Sequence, residues 1–198
     1  MIRAGTIGEI KRESGDWVFV DIGFAARKKS CGVVIGNDAP QQLSFAKLVN
    51  RLVELVRLNA YPLNIVIEAP LSVTFSDGGN PTPRSIEKWG EKTRYWYTGL
   101  GCGVLVAAMY LLRAIESAEP NREVRLFEGF VSFKEKGLKS SHTSDVAALR
   151  DIAWNPEKHD KAIVPANQLT IRGTDTISSA FKVIGLDYGV PPVLVVKG

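Results

Sequence analysis

The stretch "LNIVIE", residues 63–68, limits the possible folds more than any other part of the chain. Its apolar residues run almost without a break, the pattern of a central strand covered on both faces. Such a strand needs layers above and below it, so the sequence is read as α/β, a mixed sheet with helices on both faces. The run stops on Glu68. "WVFVDIG" repeats the arrangement: Val18, Phe19, Val20 and Ile22 are apolar and β-prone, Asp21 sits among them, and Gly23 follows. A carboxylate in that setting costs on the order of several kcal/mol unless a hydrogen-bonding partner or a cation compensates it.

Around these two runs the pattern alternates. "SCGVVIG" reads as a strand paired in a hairpin with "WVFVDI". Leu43, Leu48, Leu52, Leu55 and Val56 recur at amphipathic helix spacing. A polar stretch rich in Gly, Pro, Ser and Thr follows Glu68, so residues 72–98 are expected as a long loop insertion. "VLVAAMYLLRAIESA" reads as a core-facing helix and "EVRLFEGF" as a strand. "SDVAALRDIAW" reads as a helix capped by Ser144, "TDTISSAFKVIGLDYG" as a helix capped by Thr174, and "PPVLVVKG" as a last strand. No repeat or linker divides the 198 residues, so one domain over 1–198 is expected.

Open α/β sheets place their ligand sites at the carboxyl ends of strands. If the strands ending in Asp21 and Glu68 are parallel neighbours, their carboxylates meet at one edge. They repel unless one is protonated or a metal neutralises them. Oxygen-only ligands suit Mg²⁺ or Mn²⁺, and two such ions about 3.5–4 Å apart support phosphodiester hydrolysis by a two-metal mechanism. Glu128 ending the "RLFE" strand, Asp145 opening one helix and Asp175 opening the last are the candidates for a further acid. Asp145 and Asp175 equally suit a helix N-terminus through the dipole alone.

These residues carry a resemblance. "VFVDIGFAARKKSCGVVI" is similar to the first hairpin of RuvC-type resolvases and other RNase H-like nucleases, where Asp-x-Gly ends the first strand. "NIVIEAPLS" resembles the fourth strand of that superfamily. "LFEGFVSF" and "TDTISSAFKVIG" resemble later segments of a family of predicted RNase H-like nucleases. The resemblance implies an RNase H-like fold and a metal-dependent nuclease. It implies Asp21, Glu68 and Asp175 as metal ligands, Asp145 as rival to Asp175, and Glu128 as an additional active-site acid. Two departures stand out: Thr176 follows Asp175 where the family has Ala, and "EGFVSF" lacks the usual His-Pro. His142, three residues before Asp145, is a candidate ligand or proton shuttle or a solvated loop residue; His159 is expected at the surface.

"RSIEKWGEKTRYWY" interleaves Arg84, Lys88, Lys92 and Arg94 with Trp89, Tyr95, Trp96 and Tyr97. Cations meet phosphates and aromatics stack on bases, so Arg84, Lys92 and Arg94, with Lys139 further on, are candidate nucleic-acid contacts, DNA or RNA. The same composition also describes an amphipathic helix with its aromatics in the core. The net charge of +4 permits an anionic partner without requiring one. Cys31 and Cys102 form no paired motif, which argues against a disulfide framework and a zinc ribbon and for a reducing, cytoplasmic setting. No apolar signal core opens the chain; the uncharged stretch 95–112 is glycine-interrupted in its first half, and its dense apolar run, 104–112, suits a buried core helix better than a membrane span. A dimer is compatible with the sequence. Two rivals accompany the nuclease reading: an RNase H-like binding or structural protein without catalysis, and an actin-like nucleotide-binding protein. The chain is too short for the two lobes of the latter and shows no second phosphate-binding loop.

Overall fold

The computed structural model describes residues 1–23, 29–94, 100–133 and 141–197, with Leu100 as backbone only. Among the described residues, thirteen strands and three α-helices follow one another in the order β1 (Ile2–Ala4), β2 (Asp16–Asp21), β3 (Cys31–Ile35), β4 (Gln41–Leu43), α1 (Phe45–Arg57), β5 (Leu63–Glu68), β6 (Ser72–Phe75), β7 (Pro81–Thr82), β8 (Lys88–Trp89), β9 (Lys92–Thr93), α2 (Leu100–Ser117), β10 (Val124–Ser132), α3 (His142–Trp154), β11 (Ile163–Val164), β12 (Thr176–Ser179) and β13 (Val193–Lys197).

The main sheet is mixed, in the order β11-β13-β10-β5-β2-β3-β4, with β1 also paired to β10. Strands β2, β5, β10 and β13 are mutually parallel, whereas β3 and β4 run antiparallel to their neighbours. On one face Val18, Val20, Ile65 and Ile67 pack with Leu48 and Leu52 of α1 and Leu111 and Ile115 of α2. On the other, Trp17, Phe19, Val66 and Phe127 pack with Val146, Leu149 and Ile152 of α3. Both faces of β5 are therefore buried, which is why its sequence is continuously apolar. Ser44 caps α1 through its hydroxyl, which accepts from Lys47 N at 3.4 Å, and Leu48, Leu52, Leu55 and Val56 form its buried stripe.

Three expectations need correction. Residues 72–94, the described part of the expected 72–98 insertion, are no plain loop: β6 and β7 join β12 in a small sheet, and β8 and β9 form a hairpin. The last helix is absent. Thr176–Ser179 is a strand paired antiparallel to β6, followed by a 3-10 turn at Lys182–Ile184. Thr174, Thr176 and Ile177 are β-branched, and a waiting partner strand outweighs a helix there. Helix α3 is capped three residues before Ser144, by Ser141, whose side chain accepts from Ser144 N. Among the described residues no helix is long and apolar enough to cross a membrane.

Candidate metal centre

Strand alternation decides which side chains share a face. Trp17 and Phe19 face α3, so Asp21 does too; Val66 faces α3, and Glu68 follows it by two. Asp21 and Glu68 are register partners on parallel neighbours. The two acids thus end their strands side by side, over the N-terminus of α3. That helix contributes Asp145 from its first turn. One carboxylate oxygen from each of Asp21, Glu68 and Asp145 lies within 4.8 Å of the other two.

Close approach of α3 to the hairpin needs glycine in two places. A Cβ on Gly32, the register partner of Asp21, would run into the carbonyl oxygen of His142. A Cβ on Gly23 would collide with the carbonyl oxygen of Ser30 and lie 2.6 Å from His142 Nε2. The Asp-x-Gly sequence therefore has a local cause: its glycine leaves room for the Ser30 carbonyl, just ahead of the facing strand, and for His142. His142 Nδ1 donates to Asp21 Oδ2 at 2.7 Å, with the tautomer assigned from this partner. Asp21 is 5% exposed and Asp145 9%. The buried strand-end aspartate thus has a hydrogen-bonding partner, and that partner fixes the direction of its carboxylate.

The donor set fits a hard divalent cation. All three side chains offer oxygen, the ligand type that Mg²⁺ and Mn²⁺ take, and their oxygens lie near enough for one ion to reach all three. Asp175 is not part of this group. It sits in the turn before β12, where its Oδ2 accepts from Arg172 N at 3.1 Å. Of the rivals proposed from sequence, Asp145 is the one brought to Asp21 and Glu68.

Glu128 is absent from the group for a geometric reason. It lies within β10 rather than at its end, and its register partner Ile67 belongs to the α1–α2 face. Its side chain therefore projects from the opposite face to Glu68. There Glu128 Oε2 accepts from Leu71 N at 2.8 Å and from Arg84 Nη1 at 2.8 Å. Arg84 also donates to Ser72 Oγ at 2.9 Å and, through Nε, to Glu87 Oε1 at 3.0 Å. Arg84, Glu87 and Glu128 are all fully buried, so Arg84 is a core cation and no contact for substrate phosphate. Burial pulls the guanidinium down, but the carboxylates of Glu128 and Glu87 outweigh it and leave Arg84 raised. Burial pushes Glu87 up against the opposing pull of Arg84.

This second cluster acts on the first through the backbone. Ala69 N donates to Ile67 O at 2.9 Å, a tight turn centred on Glu68, and two residues later Leu71 N is held by Glu128. Glu128 thereby pins the chain as it leaves the turn that presents Glu68. Lys92 and Arg94 are exposed on and beside the β8–β9 hairpin, where Arg94 Nη1 donates to Ser132 Oγ at 2.9 Å. Lys139 lies outside the described residues. His159 pairs with Asp151 at 2.8 Å near the surface. Cys31 is buried and burial pushes its thiol up, which disfavours a nucleophilic role.

No family model matches the chain, and no curated protein or solved structure matches it.

Proposed function

We propose that the protein is an RNase H-like, metal-dependent nuclease that hydrolyses phosphodiester bonds, with Mg²⁺ or Mn²⁺ held by Asp21, Glu68 and Asp145. The observation that carries this reading is the meeting of three carboxylates from two strands and a helix at the carboxyl edge of a parallel strand pair. Like charges repel at that separation, and a fold selected for stability alone gains nothing from bringing them together. An antiparallel hairpin ending in Asp-x-Gly, then a parallel neighbour ending in Glu as the fourth strand counted from β2, also supports the RNase H-like class.

When bound, the divalent cations supply the charge that activates a water and offsets the charge growing on the leaving oxygen. The chain's part is to hold three carboxylates in place, with His142 fixing the angle of Asp21. Incubation of the protein with single-stranded, duplex and branched DNA and RNA in Mg²⁺ or Mn²⁺ tests the proposal. The wild type should cleave at least one substrate. Asp21→Asn should lose more than the roughly 10–100-fold expected when only an orienting partner such as His142 is removed. Wild-type protein that cleaves none of them but binds nucleic acid would favour the non-catalytic reading. The engagement of Asp21 Oδ2 by His142 is the feature that favours that reading.

A further inference from the structure

The β8–β9 hairpin is anchored more firmly than its size requires. Its base is tied by the buried Arg84–Glu87–Glu128 triad and by Arg94 N donating to Glu87 O at 2.8 Å. Its tip turns at Gly90, with φ 58°, and is fully at the surface. Trp89, 44% exposed, pairs across the hairpin with Lys92. Lys197, ending β13, holds its Nζ 5.3 Å from the Trp89 ring centroid, and Phe133 braces the indole at 5.5 Å. Lys88, Lys92, Arg94 and Lys197 are all exposed, and Glu91 at the turn is the hairpin's exposed acid. An exposed aromatic flanked by Lys92 and Lys197 is the pairing that single-stranded nucleic acid needs: a stacking platform for a base and charges for the flanking phosphates.

We propose that the β8–β9 hairpin and Lys197 form a docking surface for single-stranded nucleic acid, with Trp89 stacking one base and Lys92 and Lys197 meeting phosphates. The proposal builds on the nuclease reading by assigning its substrate class. Lys197 is the register partner of Ser132, three residues beyond the level of Glu68 and two strands across. That is about 10 Å along the strands and about 10 Å across them. The patch lies on the opposite sheet face from the acids, so the path between them rounds the sheet's carboxyl edge. A flexible single strand can take that path; a stiff duplex cannot, and its bases are not free to stack on an indole.

Fluorescence anisotropy of a labelled oligo-dT in EDTA tests this without any contribution from metal. Wild-type protein should bind it in preference to a duplex of equal length. Trp89→Ala should weaken binding about tenfold, and Trp89→Phe should restore most of it. Lys92→Ala with Lys197→Ala should lower the slope of log affinity against log salt by about 1.4. The proposal is overturned if the wild type does not bind, if the Trp89 and lysine variants bind as it does, or if poly-glutamate of matched charge displaces the oligonucleotide equally. The last result would mark a site for acidic peptides. Because EDTA removes any metal requirement, failure here leaves the metal-centre reading standing, and loss of that reading leaves this result unchanged.

Discussion

Two clusters of charge sit on opposite faces of the same central strands, and they solve the problem of burying carboxylates differently. On the α1–α2 face, Glu87 and Glu128 close around a guanidinium that the chain itself supplies, and all three side chains are sealed from solvent. On the α3 face, Asp21, Glu68 and Asp145 converge at the sheet's open edge, drawn from three elements. The first cluster is completed within one segment plus β10: Arg84 and Glu87 are three residues apart, and the triad fastens that segment to the sheet. The second exists only because β2, β5 and α3 meet. The difference separates carboxylates that carry their own counter-cation from carboxylates gathered where an outside cation could reach them.

The sharpest way to break this comparison is to remove the internal cation. Arg84→Met leaves two carboxylates buried without their guanidinium, which should cost about 3–5 kcal/mol. For a chain of this length that lowers the melting temperature by about 6–20 °C. Replacing Glu87 and Glu128 by Leu in the same protein should return much of the loss, since an apolar triad of similar volume carries no desolvation penalty. Thermal unfolding of the two variants measures both effects. A single variant within 1 kcal/mol of wild type, by the scale for surface pairs, would mean that the buried triad does not hold structure as described.

Much of the α3-face cluster is legible in the chain. Asp21 and Glu68 interrupt apolar runs, and an interruption of that kind is visible without coordinates. Their pairing follows once the strands are taken as parallel neighbours, as β2 and β5 are. What is not legible depends on distant partners. Glu128 also ends an apolar stretch, but β10 continues four residues past it, and only its register against Ile67 reveals that it faces away from Glu68. Arg84 sits among lysines and aromatics in sequence, and nothing local distinguishes a buried arginine from an exposed one. Asp175 misleads because the strand it precedes finds its partner, β6, about a hundred residues earlier in the chain. Asp145 is chosen over it by the packing of α3 on the sheet, a long-range fact. Trp89 is recognisable as a candidate stacking residue, but its neighbour Lys197 comes from β13, far away in sequence.

A smaller effect sharpens the same contrast from the metal side. A cation that binds the folded chain alone, at a hundred times its Kd, stabilises it by about 2.7 kcal/mol. Mg²⁺ or Mn²⁺ should therefore raise the wild-type melting temperature by about 5–11 °C over EDTA. Asp145→Asn should abolish most of that rise, whereas Asp175→Asn should keep it, as Asp175 is engaged with Arg172 N in another turn. Loss of the rise in Asp175→Asn but not in Asp145→Asn would reverse the ligand assignment.

The smallest expected effect is a pH dependence, and it comes from the sealed cluster. One guanidinium faces two carboxylates there, and burial pushes Glu87 up from its usual value of 4.5 despite Arg84. The folded protein thus holds a proton on Glu87 at a pH where the unfolded chain has released it. That contribution to stability is complete below about pH 4.5 and is lost as pH rises through the raised value. Glu9 has the opposite sign. Its hydrogen bond from Arg3 outweighs the effect of burial and holds it at about 2, so its contribution is present above 4.5 and lost as pH falls toward 2. Urea midpoints across that range separate the two. Glu87→Gln cannot release a proton, so its stability relative to wild type should rise as pH increases above 4.5. Glu9→Gln should be less stable than wild type at neutral pH and draw level in acid. A Glu87→Gln curve that runs parallel to wild type would show that the guanidinium offsets the burial of Glu87 fully, and the contrast between the two clusters would then rest on geometry alone.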